Sequence, residues 1–267
     1  MKRRFDKMHG LGNDFAIFDA RDMPLALSPA QARALADRHS GIGCDQIIIL
    51  ETSDAADIRM RVMNADGGEA GACGNAARCV VALLGRDVRI ETAGGLIDGA
   101  ANGAGIEIDM GAPRFSWQDI PLAYATETAP VPAGWDGLEK PYAVNVGNPH
   151  AVFFVEDPAA VPLEEIGPRI ERDPLFPEGV NVDVAAIGED GIALRVWERG
   201  TGLTRACGTG ACATAAAAIR YRQAPSPVTV SLPGGALRIA WAPGETIRMT
   251  GPASHVFTGE IDLEALA

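Results

Sequence analysis

The chain is written twice, and a duplicated sequence predicts two like folding units. Gly12-Asn13-Asp14-Phe15-Ala16-Ile17-Phe18 corresponds to Gly147-Asn148-Pro149-His150-Ala151-Val152-Phe153, 135 positions later. At the same offset Gln46 falls on Asn181, and the apolar runs behind them coincide. At an offset of 134, Cys73-Gly74-Asn75-Ala76-Ala77 falls on Cys207-Gly208-Thr209-Gly210-Ala211, and Asn64 on Glu198. At 140, Val88-Arg89-Ile90 with Gly94-Gly95 meets Val228-Thr229-Val230 with Gly234-Gly235, and Gly111 meets Gly251. Four anchors in one order make a coincidence of Gly-rich turns the poorer explanation. The repeat predicts domains at 1–112 and 113–253, each of ordinary size, with the tail 254–267 packing back onto the first.

Within each copy the pattern is mixed. Arg59–Met63, Ile106–Met110 and Ala193–Trp197 alternate like half-buried strands. Ser28-Pro29-Ala30 opens a helix to about Arg38, with Ser28 as N-cap and Pro29 in the first turn. Asn75–Leu84 and Gly210–Tyr221 are alanine-rich and apolar nearly all round, and a helix without a polar face belongs inside. The fold class expected is α+β, with two pseudo-symmetric domains, each a curved, barrel-like sheet wrapped around a central helix.

The five cysteines are an odd number, and no export signal precedes them, so reduced thiols are expected rather than a disulfide framework. No CxxC occurs and the four histidines are scattered, so no metal site is expected. The net charge of −12 disfavours nucleic acid and anionic membrane surfaces. Lys7, His9 and Asp14 interrupt the N-terminal region too early for a signal peptide, and no run approaches the roughly 20 apolar residues of a membrane span. The expected location is the cytoplasm.

Each repeat places a cysteine directly before a Gly-rich turn into its buried helix. A helix N-terminus offers unpaired N–H groups and the positive end of a dipole, which lower a thiol's pKa and can hold a carboxylate. Two such elements, facing each other, would put a thiol on either side of one carbon. Inverting that carbon requires taking a proton from one face and delivering one to the other, which two thiols do without a cofactor. Cys73 and Cys207 are the candidate pair; Cys44, Cys79 and Cys212 read as ordinary buried cysteines. Asn13, Gln46, Asn64, Asn148 and Asn181 gather at the repeat anchors, where each is either a turn-maker or a ligand-binder. Arg199 is the best carboxylate fork near the second thiol, and Glu198 and His150 are candidates for orienting or deprotonating thiols.

The motifs Met8-His9-Gly10-Leu11-Gly12-Asn13-Asp14-Phe15, Gly43-Cys44-Asp45-Gln46, Asn64-Ala65-Asp66-Gly67, Cys73-Gly74-Asn75, Gly147-Asn148-Pro149-His150, Glu198-Arg199-Gly200 and Ala206-Cys207-Gly208-Thr209-Gly210-Ala211 together resemble the diaminopimelate epimerase family, from Lys7 to about Phe257. The resemblance implies interconversion of LL- and meso-2,6-diaminopimelate on the route to lysine and peptidoglycan, in a homodimer. It implies that the two thiols alternate as base and acid, with His150 and Glu198 as auxiliary acid/base positions. The reacting carboxylate would rest on the amides of Gly74, Asn75, Gly208 and Thr209. Asn13, Gln46, Asn64, Asn148, Asn181, Glu198 and Arg199 would make the remaining substrate contacts. Ala76 stands where the family usually has glycine, and Cys44 where an apolar residue such as Phe is common.

Four other readings compete. A proline or hydroxyproline epimerase would share the two-thiol logic with a smaller substrate, but the amide cluster with Arg199 suits a second, distant amino-acid head. An isomerase of the phenazine-biosynthesis type lacks the paired thiols. A pyridoxal-phosphate racemase needs a Schiff-base lysine, and Lys2, Lys7 and Lys140 are the only lysines. A repeat protein that binds small molecules without turnover is the remaining alternative.

Overall fold

The computed structural model describes residues 2–103 and 105–266. The chain separates into two compact units, Met1–Ile108 with Gly251–Ala267, and Asp109–Thr250. Four α-helices occur among the described residues: α1 (Pro29–Ala36), α2 (Gly74–Leu84), α3 (Leu163–Glu171) and α4 (Gly208–Arg220).

In the first unit, strand Lys2–Gly10 pairs antiparallel with Asn13–Asp19 on one side and with Ser254–Asp262, from the other end of the chain, on the other. The sheet continues from Asn13–Asp19 to Gln46–Glu51 (parallel), Ile58–Asn64 (antiparallel), Val88–Thr92 (parallel), Gly95–Asn102 and Gly105–Asp109 (both antiparallel). The second unit repeats this by register. His150 lies opposite Asn181 as Phe15 lies opposite Gln46, and Val182 opposite Trp197 as Ile47 opposite Met63. Ile192 lies opposite Val230 as Ile58 opposite Ile90. The duplication seen in the sequence is thus a duplication of strand pairing.

The sheet of each unit curves around one helix. α2 packs on strands Lys2–Gly10, Val88–Thr92, Gly95–Asn102 and Ser254–Asp262; α4 packs on six strands of its own unit. Alanine makes this possible, because a helix of small side chains is thin enough for a sheet to close around it. Ala211, Ala213, Ala215, Ala216, Ala217 and Ala218 are all buried. Gly85 ends α2 in the left-handed conformation (φ 64°, ψ 22°) that glycine adopts without a Cβ penalty.

The outer faces carry α1 and α3. Ser28 caps α1 through a reciprocal capping box with Gln31, and the helix stops at Ala36, two residues short of the expected end. Side-chain alternation on the central strands divides their residues between two layers. Ile47 and Ile49 join Ala32 and Leu35 of α1 in one apolar cluster, and Val182 and Val184 join Ile166 and Ile170 of α3 in its counterpart. α3 was not expected, because Pro162, Gly167 and Pro168 are signals that break helices. Its Gly167 is needed for packing: a Cβ there would lie 2.5 Å from Trp197 Cγ.

Candidate active site

Cys73 is the N-cap of α2, half-buried and in extended conformation. Its Sγ lies 3.9 Å from Asn13 Oδ1. Asn75, in the first turn, donates from Nδ2 to the same oxygen at 3.1 Å, and Arg78 donates to Asn75 Oδ1 at 2.8 Å. Asn13 Nδ2 donates to Asp45 Oδ2 at 2.9 Å. On adjacent strands Gln46 and Asn64 are direct cross-strand neighbours, and Gln46 Nε2 donates to Asn64 Oδ1 at 2.9 Å. Gln46 Oε1 is buried and without a partner among the described residues. Cys73, Asn13 and Asn75 therefore form one contact group, and Gln46 with Asn64 a second.

Behind Asn13 lies a compact charge network. Lys7, buried, bonds Asp14 at 2.5 Å and the Gly43 carbonyl, and Arg38 bridges Asp14 and Asp45 at 2.8 and 2.7 Å. Burial opposes ionisation of Asp14, yet hydrogen bonds from Arg38 and Lys7 outweigh it and hold that carboxyl well below its usual range.

Cys207 is the N-cap of α4 and buried. Its Sγ accepts from the Gly210 N–H at 3.4 Å, as a serine N-cap oxygen would, and lies 3.4 Å from Thr209 Oγ1. Gly208 forms the first position of the helix and is buried, whereas Gly74, at the first position of α2, is only half-buried. The helix terminus does not lower this thiol's pKa as expected from sequence. Burial, then the nearby Glu198 and Asp183 carboxylates, push it well above its ordinary value against the opposing Thr209 and Gly210 contacts. Glu198 is pushed up in turn by burial, although Thr204, at 2.5 Å, and the Cys207 thiol both hydrogen-bond to it.

His150 is fully buried, with Nδ1 2.9 Å from Asp183 Oδ2 and Nε2 3.0 Å from Asn148 Oδ1. Asn181 spends both ends of its amide on the backbone, donating to the Pro149 carbonyl at 2.8 Å and accepting from the Arg199 N–H at 2.9 Å. Arg199 turns its guanidinium onto the Glu178 carbonyl at 2.7 Å. Cys207, Thr209, Glu198, His150 and Asn148 are thus linked through contacts or close charges, whereas Asn181 stitches the loop that carries Arg199.

Three residues of this site went unrecognised in the sequence. Asp183 is fully buried, with Oδ1 lacking a partner among the described residues. Strand alternation points it away from Val182 and Val184, and a Cβ on Gly210 would lie 3.0 Å from its Oδ1. The signal was available, since Asp183 matches Ile48 in the repeat. Arg78 is fully buried inside a helix read as apolar, and Asp45, exposed, stood within the Gly43-Cys44-Asp45-Gln46 motif with no role assigned to it. Among the described residues, no group of three or more His, Cys, Asp or Glu could hold a metal ion, and no helix is long and apolar enough to cross a membrane.

Two copies of a sheet rolled around a thiol-capped helix define the two-domain epimerase fold. Solved structures of that architecture include a phenazine biosynthesis protein of Bacillus anthracis (TM-score 0.68, 17% identity, 98% of this chain and 99% of that one). A hydroxyproline epimerase of Agrobacterium vitis is another (TM-score 0.66, 14% identity, 97% and 92%). At such identities the likeness extends to the fold alone. Sequence narrows the class: the diaminopimelate epimerase family model matches residues 5–116 and 142–256. A diaminopimelate epimerase of Rhizorhabdus wittichii is 60% identical over 267 residues, covering 99% of this chain and 97% of that protein. This chain belongs to the diaminopimelate epimerase family.

Proposed function

We propose that this protein interconverts LL- and meso-2,6-diaminopimelate by a cofactor-independent two-base mechanism, with Cys73 and Cys207 on opposite faces of the substrate α-carbon. The observation that carries the reading is the equivalence of these cysteines as N-caps of α2 and α4, the two helices around which the repeated sheets curve. One sulfur, ionised, removes the α-proton; the other, protonated, delivers one to the opposite face. The backbone N–H groups of Gly74, Asn75, Gly208 and Thr209 cradle the carboxylate, where charge accumulates as the proton leaves.

The raised Cys207 pKa means that this thiol needs a base when it is to act as one. Glu198, within hydrogen-bonding reach, fills that role, and His150 serves as the second auxiliary group. Asn13, Gln46, Asn64, Asn148, Asn181, Glu198 and Arg199 bind the remainder of the substrate, including its distant amino-acid head. The active form is a homodimer in the cytoplasm, acting in lysine and peptidoglycan-precursor synthesis.

Incubation with LL-diaminopimelate in D2O tests the reading. Wild type is expected to deuterate the α-carbon and form the meso isomer, whereas Cys73→Ser and Cys207→Ser each lose at least about a hundredfold in turnover, the scale of an acid–base group. Deuteration of proline instead, or serine variants as fast as wild type, would overturn it.

A further inference from the structure

Both halves place an asparagine of the repeated Gly-Asn motif in the site, but only the first half holds it between fixed charges. A guanidinium donates hydrogen bonds and cannot accept them. Arg78, fully buried, therefore obliges Asn75 to turn Oδ1 toward it at 2.8 Å. Asn75 is left with Nδ2 to offer Asn13, whose Oδ1 accepts at 3.1 Å. From the other end, an ionised carboxylate accepts and cannot donate. Asp45 thus draws Asn13 Nδ2 to itself at 2.9 Å, and Arg38 holds Asp45 in place. The oxygen and nitrogen of a side-chain amide are ordinarily interchangeable on shape alone. Here reversal of either amide would set NH2 against a guanidinium or oxygen against a carboxylate.

We propose that Arg78 and Asp45 are positioning residues that lock the Asn75 and Asn13 amides in one sense, so that Asn13 presents its carbonyl oxygen to the Cys73 thiol. The second half has no such lock. At the repeat offsets Arg78 corresponds to Cys212 and Asp45 to Val180, and Cys207 Sγ accepts from the Gly210 N–H instead. The locked amide thus gives Cys73 an acceptor of fixed sense, whereas Cys207 meets both the Gly210 donor and the Glu198 carboxylate. The lock itself is independent of the proposed activity; its consequence for turnover rests on that reading.

Transmission along the chain of amides is the decisive property. In the full-length protein labelled with 15N in its seven asparagines, the side-chain NH2 resonances of Asn13 and Asn75 report each amide separately. Arg78→Met is expected to move the Asn13 pair as well as the Asn75 pair, and Asp45→Ala the Asn75 pair as well as the Asn13 pair. Arg78→Lys keeps a cation that only donates and returns both pairs toward their wild-type positions. In the diaminopimelate exchange assay kcat/KM falls about tenfold in Arg78→Met and Asp45→Ala, and Lys at position 78 recovers most of it.

Variants that stay folded by circular dichroism but shift only the adjacent amide would overturn the lock. Should Arg78→Met fail to fold, Asp45→Ala decides, because Asp45 lies at the exposed end. Transmitted shifts in a protein without diaminopimelate turnover keep the lock and remove the proposed function. Untransmitted shifts in an active enzyme do the reverse.

Discussion

Lys7 is a lysine held almost wholly out of water, which is costly unless its charge is answered. Asp14 answers it, and Arg38 adds a second cation from the exposed side. Because native contacts hold the Asp14 carboxyl below its ordinary value of 3.8, its contribution to stability is complete above that pH and fades as pH falls through the depressed native value. Asp14→Asn is expected to lose about 2–3 kcal/mol at pH 7, because it leaves Lys7 buried with only the Gly43 carbonyl and a neutral amide as partners. Urea titrations of both proteins should give curves that converge as the pH is lowered below 3.8. A constant difference across that window would show that the cost is steric rather than electrostatic. Charges are also where sequence reasoning fell short. Cys73 and Cys207 were legible because each was copied with its Gly-rich helix start. Arg78, Asp45 and Asp183 were not, since a lone charge in an apolar stretch shows nothing of its partner until the strands are paired.

The two thiol-bearing helices were legible as elements because alanine and the repeat both marked them, although each begins slightly earlier than predicted: α2 at Gly74, not Asn75, and α4 at Gly208, not Gly210. α3 was missed because its breakers, Pro162, Gly167 and Pro168, are accommodated by the third dimension: Gly167 gives room for Trp197, whose Nε1 bonds Glu171 at 2.7 Å. Two glycines of the central helices separate stability from chemistry. At Gly85 a Cβ would meet nothing within 4 Å, so Gly85→Ala carries only the left-handed backbone penalty, about 1 kcal/mol, with turnover retained. At Gly210 a Cβ would lie 3.0 Å from both Asp183 Oδ1 and Val196 Cγ2. Gly210→Ala should therefore displace Asp183 from His150 and cost about tenfold in kcat, with a stability loss of about 1–2 kcal/mol. Denaturation curves beside exchange rates distinguish the two. An inactive Gly85→Ala, or a fully active Gly210→Ala, would contradict this division. Ala76 occupies the equivalent position in α2 without such a neighbour, since the strand residue matching Asp183 there is Ile48.

At the scale of the molecule, the duplication is not two consecutive segments. The first unit is closed by the chain's last strand, Ser254–Asp262, which pairs with residues 2–9, Lys2 opposite Asp262 and His9 opposite Ser254. Phe257 also sets its ring edge against Phe5, and Arg78 Nε reaches the Pro252 carbonyl at 3.3 Å. The second unit, Asp109–Thr250, is continuous in sequence and contains its own helix α4 and its own outer cluster. A chain ending at residue 250 therefore keeps every residue of one core and loses an edge of the other. In that truncated chain the amides of Gln46–Glu51 and Ile58–Asn64, central strands of the first unit, should lose their slow hydrogen exchange. Those of Asn181–Gly188 and Gly191–Glu198 should keep it, because local opening follows the cooperative unit to which a strand belongs. Exchange read by mass spectrometry distinguishes this from global collapse, in which both sets lose protection together, and from a dispensable tail, in which neither does. Selective loss would mean that the repeat is a pair of folding units rather than an echo in the sequence, one of them completed only when the last residues are in place.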